Sequence, residues 1–182
     1  ITKVSLELGG KAPAIVFPDA DLEAAAQWII DSRIGNNGQI CNNAERVYVH
    51  QSIKEEFTKI LLRKFEAVKV GDPCADPTVD MGPLVEQRAL ESVTAKVENA
   101  IQQGAKVLCG GHRVGDKGYF YAATLLDNCT QDMDIIHQET FGPVLPIVTF
   151  EDTTQVIQWA NDVEYGLASS VFTKDLDTAT RV

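Results

Sequence analysis

Gly38-Gln39-Ile40-Cys41-Asn42-Asn43-Ala44-Glu45-Arg46 sets a single cysteine between a turn and a strand. The run before it, Gly35-Asn36-Asn37-Gly38, is turn-forming, and the β-branched, aromatic run after it, Arg46-Val47-Tyr48-Val49, reads as a strand. A thiol on an irregular segment between a helix and a strand can be approached by a substrate, whereas one inside the periodic face of either element usually cannot. Cys41 is therefore a candidate nucleophile. The plainer alternative is a small buried hydrophobe at a loop end, because free cysteine is among the most buried residue types.

Upstream, Lys3 to Leu8 alternates, with Val4, Leu6 and Leu8 on one face and Ser5 and Glu7 on the other, the period of a half-buried strand ended by Gly9-Gly10. Pro13 to Phe17 is a second short apolar run. Asp19-Ala20-Asp21 then offers an N-cap to a helix through Leu22 to Ile30 that delivers the chain to the Gly38 turn. Downstream of the Val47 to His50 strand, Ser52 is expected to cap a helix with the apolar stripe Ile53, Phe57, Ile60, Leu61 and Phe65. A Pro- and Gly-rich loop from Gly71 to Pro83 follows. Next come a helix from about Glu86 to Gln103 and strands at Ala105 to Leu108 and Ala122 to Leu126. Beyond Gly142-Pro143 the pattern gives a strand at Val144 to Phe150, a helix at Thr153 to Ala160, a strand at Leu167 to Phe172 and a final unfinished helical pattern. Strands alternating with helices of this length point to a layered α/β domain with a largely parallel sheet flanked by helices. In such folds sites gather at strand ends. Glu7 to Gly10, Gly38 to Asn42 and Glu139 to Pro143 all lie where an element ends.

Composition narrows the partners. The 182 residues suffice for one domain with a real core, and a 45% hydrophobic, 23% charged chain is ordinary for a globular protein. A formal charge of −10 argues against a non-specific nucleic-acid or anionic-membrane surface, since both need clustered Lys and Arg. No apolar run approaches the roughly 20 residues that span a bilayer. Cys41, Cys74, Cys109 and Cys129 are widely spaced, without CxxC pairs or a neighbouring His cluster, which fits neither a zinc site nor a disulfide scaffold. No metal is expected. A reducing compartment, the cytoplasm, is. His50, His112 and His137 read as surface or locally hydrogen-bonded residues.

Two acids invite a chemical reading. Glu7 stands on the polar face of its strand, just before paired glycines that let a ligand or another backbone come close, and a carboxylate there can act as a general base toward water. The alternative is a solvated glutamate on an outer face. Glu139-Thr140-Phe141-Gly142-Pro143 combines an acid able to accept from ribose hydroxyls, a ring able to pack on a planar heterocycle, and a rigid turn; loops also hold such residues for structural reasons.

Taken in order, Leu6-Glu7-Leu8-Gly9-Gly10-Lys11, Gly38-Gln39-Ile40-Cys41 and Glu139-Thr140-Phe141-Gly142-Pro143 resemble the signature runs of the NAD(P)-dependent aldehyde dehydrogenase superfamily. The resemblance covers essentially the whole chain, and Cys41-Asn42-Asn43-Ala44-Glu45-Arg46 is most similar to the bacterial lactaldehyde and glycolaldehyde dehydrogenases. It implies oxidation of a small hydroxyaldehyde to its acid with NAD or NADP. Cys41 would be the nucleophile, passing through a thiohemiacetal and a thioester, and Glu7 the base that activates the hydrolytic water. The resemblance also places Leu8, Glu139 and Phe141 at the cofactor, with Glu139 on the ribose and Phe141 and Leu8 on the nicotinamide side. Asn42, beside the nucleophile, would hydrogen-bond a 2-hydroxyl or the developing oxyanion.

No G-x-G-x-x-G or G-x-x-x-x-G-K-[ST] fingerprint occurs. By the resemblance, residues 1–182 are an excised catalytic domain, with the main NAD-binding domain upstream and the C-terminal pairing segment absent. The segment alone is expected to be inactive, and the parent to be a homodimer or homotetramer. Three other readings stay open. A CoA-acylating relative would share Cys41 but has no use for the Glu7 base. A cysteine hydrolase would need a His partner, and none of the three histidines has a recognisable motif. A non-catalytic structural or binding module would leave Cys41 no more reactive than the other cysteines.

Overall fold

The computed structural model describes residues 2–182. Its centre is a six-stranded sheet in the order β3-β4-β5-β2-β1-β6. The strands are β1 (Ala12–Val16), β2 (Ala44–His50), β3 (Lys106–Cys109), β4 (Thr124–Cys129), β5 (Val144–Phe150) and β6 (Ser170–Phe172). Every neighbouring pair is parallel except β3 with β4. The helices are α1 (Leu22–Ile34), α2 (Lys54–Glu66), α3 (Gln87–Gln102), α4 (Asp134–His137), α5 (Thr153–Asn161) and α6 (Leu176–Arg181).

The central strands read as near-continuous apolar runs because both faces of the sheet are covered. Ala14 and Val16 of β1, Val47 and Val49 of β2 and Leu145 and Ile147 of β5 face α1 and α2, where Ile29, Phe57, Leu61 and Phe65 close one core. Their alternates, Ile15, Tyr48, Val144 and Val148, face Leu90, Val93 and Val97 of α3 and Val156 of α5. This is the period of two expected of a strand between two layers. Pro13 sits at a register shift between β1 and β2, and Pro146 lies opposite Leu126, where the β4 ladder begins to slip, so the missing N–H groups fall at irregularities of the ladder.

Local chemistry explains the helix ends. Asp21 caps α1 by accepting from the Ala24 N–H at 3.1 Å, Glu23 lies in its first turn, and Arg33 in its last. Asn36, Asn37 and Gly38 then take positive φ of 49°, 58° and 74°, residue types that tolerate the left-handed region, and this reversal aims the chain toward Cys41.

Four expectations are corrected. Lys3 to Leu8 forms no strand: it finds no neighbour to complete a ladder, and Val4, Leu6 and Leu8 are 77%, 70% and 69% exposed. Ser52 does not cap α2; its N–H is held by His50 Nδ1 in a short 3₁₀ turn, Gln51–Ile53, and the helix starts at Lys54. Of the expected apolar stripe, Phe57, Leu61 and Phe65 are buried. The fourth strand lies two to three residues later than its pattern suggested, and only the end of the Leu167 to Phe172 run is strand. The short helix α4, whose Ile135 and Ile136 enter the core, had no periodic signal long enough to read.

Candidate active site

The site forms where the segments before β1, before β2 and before β5 converge at one end of the parallel sheet. Cys41 lies on the loop between the Gly38 turn and β2, partly buried. That loop is braced from within. The Asn37 side chain donates to Pro83 O at 2.7 Å, Gln39 Oε1 accepts from the Val85 N–H at 3.0 Å, and Asn43 Nδ2 donates to Gly35 O at 3.2 Å. The backbone of Gly10 lies directly against the Cys41 carbonyl, closer than any side chain would allow, so a glycine is needed at position 10 for this approach.

Cys41 lines a cleft of about 590 Å³ together with Leu6, Glu7, Leu8, Gly9 and the Glu164–Leu167 segment. A smaller hollow of about 310 Å³, bordered by Lys11 and Arg46, shares the Tyr165–Leu167 wall but holds no cysteine. Glu7 is exposed in the larger cleft, and Leu8 beside it is exposed as well. Asn42 is exposed and stands outside the cleft lining. The other thiols have other settings. Burial pushes the Cys129 thiol up to about 12 and raises that of Cys109, while Cys74 sits exposed in the Gly71 to Pro83 loop.

Glu139 is brought to the same corner from the loop before β5. Its Oε1 accepts from the Gly10 N–H at 2.7 Å, and a Cβ placed on Gly9 would come within 2.6 Å of its Oε2. Lys96 of α3 donates to the Glu139 carbonyl at 2.5 Å. Phe141, two residues on, has a φ of 51° and leaves 41% of its surface exposed. Gly142 follows, packed against Val93, and its carbonyl touches Gly38. Cys41, Glu7 and Leu8 thus share one cleft, Glu139 borders it through Gly9 and Gly10, and Phe141 follows Glu139 on the same loop.

Beneath this corner lies a set of buried charges to which the sequence reading gave no role. Glu45 accepts from Lys11 Nζ at 2.7 Å and from Arg33 Nη1 at 2.8 Å, with all three side chains fully buried. Arg33 also donates to Ala44 O at 2.9 Å and Gly38 O at 2.5 Å. Arg46 donates to Lys11 O, Tyr48 Oη, Trp159 O and Ala160 O, all within 3.1 Å. Burial alone would raise the Glu45 carboxyl, but Lys11 and Arg33 hold it down at about 2. Burial pulls the Lys11 ammonium down to about 8 against the attraction of Glu45. The available signal was a charge pair, Glu45-Arg46, at the head of an apolar strand, and a lysine immediately before another. Charges in strands covered on both faces must be paired.

A family model described as the aldehyde dehydrogenase family matches residues 1–182. The chain is 51% identical over 181 residues to a lactaldehyde dehydrogenase of Escherichia coli strain K12, covering 100% of this chain and 38% of that relative. A crystal structure of lactaldehyde dehydrogenase from Escherichia coli superposes with a TM-score of 0.97 over 99% of this chain and 38% of that one, at 51% identity. A structure of 3,6-anhydro-L-galactose dehydrogenase in complex with NAP superposes with a TM-score of 0.93 at 46% identity, over 96% of this chain and 37% of that one. The chain therefore spans well under half the length of the relatives it matches.

Proposed function

Because this chain belongs to the aldehyde dehydrogenase family, we propose that it is the catalytic domain of an NAD(P)-dependent enzyme that oxidises a small hydroxyaldehyde, such as lactaldehyde or glycolaldehyde, to the acid. The observation that carries this reading is one cleft lined by both Cys41 and Glu7. The Cys41 thiolate attacks the aldehyde carbon and forms a carbon–sulfur bond, giving a thiohemiacetal whose oxyanion is met by the Cys41 N–H. A nicotinamide cofactor, when bound, would supply the hydride acceptor, and loss of hydride from the adduct carbon leaves a thioester on Cys41. Glu7 takes a proton from water, the water oxygen adds to the thioester carbon, the carbon–sulfur bond breaks, and the acid leaves with Cys41 restored. Asn42, beside Cys41 in the chain but outside the cleft lining, is kept as the proposed partner of a substrate 2-hydroxyl or of the oxyanion on its position next to the nucleophile alone.

The residues present fit the nicotinamide half of such a cofactor. Gly9 and Gly10 leave bare backbone beside the Glu139 carboxylate, which suits a ribose hydroxyl, and the exposed Phe141 ring offers a flat face. Leu8 lies at the cleft with its backbone free of a strand partner. The adenine half has no glycine-rich fingerprint here, so an upstream domain is assigned to it, and the chain alone is expected to turn over no aldehyde. A metal has no part in the scheme; among the described residues no cluster of His, Cys, Asp and Glu is grouped to hold one. Free cysteines support a cytoplasmic setting, and among the described residues no helix is long and apolar enough to cross a membrane. The parent is proposed to assemble as a homodimer or homotetramer.

Cofactor reduction by the full-length protein with lactaldehyde or glycolaldehyde, with and without CoA, tests the reading against its Cys41→Ala variant. Rapid CoA-independent reduction that vanishes in the variant supports it. Strict dependence on CoA would move the chain to acyl transfer, and activity that survives loss of Cys41 would overturn the mechanism.

A further inference from the structure

Glu45 is an unexpected residue to find fully buried, because a well-packed apolar side chain of similar volume is often at least as stabilising as a buried ion pair. Its contacts suggest another reason for it. Each carboxylate oxygen takes one cation and one backbone amide. Oε2 accepts from Lys11 Nζ at 2.7 Å and the Thr140 N–H at 3.1 Å, while Oε1 accepts from Arg33 Nη1 at 2.8 Å and the Phe141 N–H at 3.3 Å. Those two amides directly follow Glu139. The Phe141 backbone is left-handed, a conformation a bulky residue keeps only where its surroundings impose it. Lys11 directly follows Gly10, to which the Glu139 carboxylate is bonded, so one buried carboxylate ties together both ends of that contact.

We propose that Glu45 is a positioning residue for the cofactor side of the site: by gripping the Thr140 and Phe141 amides it fixes the loop that presents Glu139 and the Phe141 ring. The proposal rests on the functional reading above for what the loop meets, but not for the grip itself. Arg33 and Lys11 serve to keep Glu45 ionised and aimed; Glu45 touches neither substrate nor the reacting atoms.

The test uses the full-length protein with Glu45→Gln and with the double variant Lys11→Met/Glu45→Gln, which removes one of the two buried cations, Lys11 and Arg33, that the single change leaves without their counter-charge. Amide hydrogen exchange reads the loop whether or not the protein oxidises aldehydes. Exchange at Thr140 and Phe141 should quicken about tenfold while the β5 amides, Val144–Phe150, keep their protection. The KM for the nicotinamide cofactor should rise about tenfold, with the rate of Cys41 alkylation by iodoacetamide unchanged. Wild-type exchange at those two amides in a folded variant would overturn the proposal. So would equal loss of protection across the loop and β5, or failure of both variants to fold, since each assigns Glu45 to the fold alone. Loss of the functional reading would be recognised separately, as absence of cofactor reduction by the unmodified protein.

Discussion

Two regions of this molecule meet at Gly10 and are built on opposite terms. Below it, Lys11, Arg33, Glu45 and Arg46 are buried, charged and tied to one another and to the backbone. Above it, the wall of the cleft is made of exposed side chains, Leu6, Glu7 and Leu8, on a stretch with no strand or helix of its own. The chain spends its strongest polar contacts on holding three loops in register, the braced Cys41 loop among them, and leaves the base assigned to the chemistry, Glu7, on a segment with little to hold it. A change below should therefore be felt as lost stability, and a change above as lost chemistry.

The largest effect is expected from Arg33→Met. It leaves Glu45 with one cation and removes the bonds to Gly38 O and Ala44 O. Breaking a buried pair from one side typically costs about 3–5 kcal/mol, so urea unfolding should show a loss near the middle of that range. A loss below about 1 kcal/mol would mean that the buried charges are not what joins the loops. Gly38→Ala comes next. Its φ of 74° strains any Cβ, which would also collide with Gly142 O and crowd Arg33 Nη2, and about 3 kcal/mol is expected by the same measurement.

The pH dependence sharpens the contrast, because the two buried partners act in different windows. Glu45 has a folded pKa near 2 against an ordinary 4.5, so its contribution is present above 4.5 and is lost as pH falls from there toward 2. At ~1.4 kcal/mol per pH unit this amounts to about 3 kcal/mol, and Glu45→Gln should flatten the acid limb of a plot of unfolding free energy against pH. Lys11 works the other way. With a folded pKa near 8, below its ordinary 10.5, the unfolded chain holds more protons between those values, so stability should rise with pH across that window. Lys11→Met should abolish that rise. A pH profile unchanged in both variants would show that these charges are not coupled to folding.

How much of this was legible in sequence follows the same division. The α/β class, the parallel sheet and the strands β2 and β5 were readable because burial on both faces writes itself as continuous apolar runs. Cys41 and Glu139 were readable as candidates because each sits where an element ends, and Glu7 because it stands just before the paired glycines, although the strand expected to carry it does not form. The buried charges were visible as letters but not as a network, since Lys11, Glu45 and Thr140 are joined only by the crossing of distant loops. The Lys3 to Leu8 alternation misled for a related reason. Period-two patterning reports a preference for a two-sided setting, and a strand exists only where a neighbour accepts its hydrogen bonds. Nothing local distinguishes the stretch that has one from the stretch that does not.

The smallest effect on stability is expected on that exposed stretch, and it is the sharpest test of the division. Leu6→Ser, Leu8→Ser and Glu7→Gln replace side chains that are already exposed, so each should change the unfolding free energy of this chain by less than about 0.5 kcal/mol. In the full-length protein, however, Glu7→Gln removes the group assigned to deprotonate water while leaving Cys41 free to be acylated. Mixing the variant with excess aldehyde and cofactor should give a burst of reduced cofactor of at most one equivalent per site, then turnover slowed by about 10²-fold or more. A variant that is stable and turns over at the normal rate would show that the proton goes to another group, and Glu164, the other carboxylate in the cleft wall, would be the next to remove. A variant that unfolds would instead show that the exposed stretch carries structural weight its contacts do not reveal, and the contrast between the two sides of Gly10 would fail.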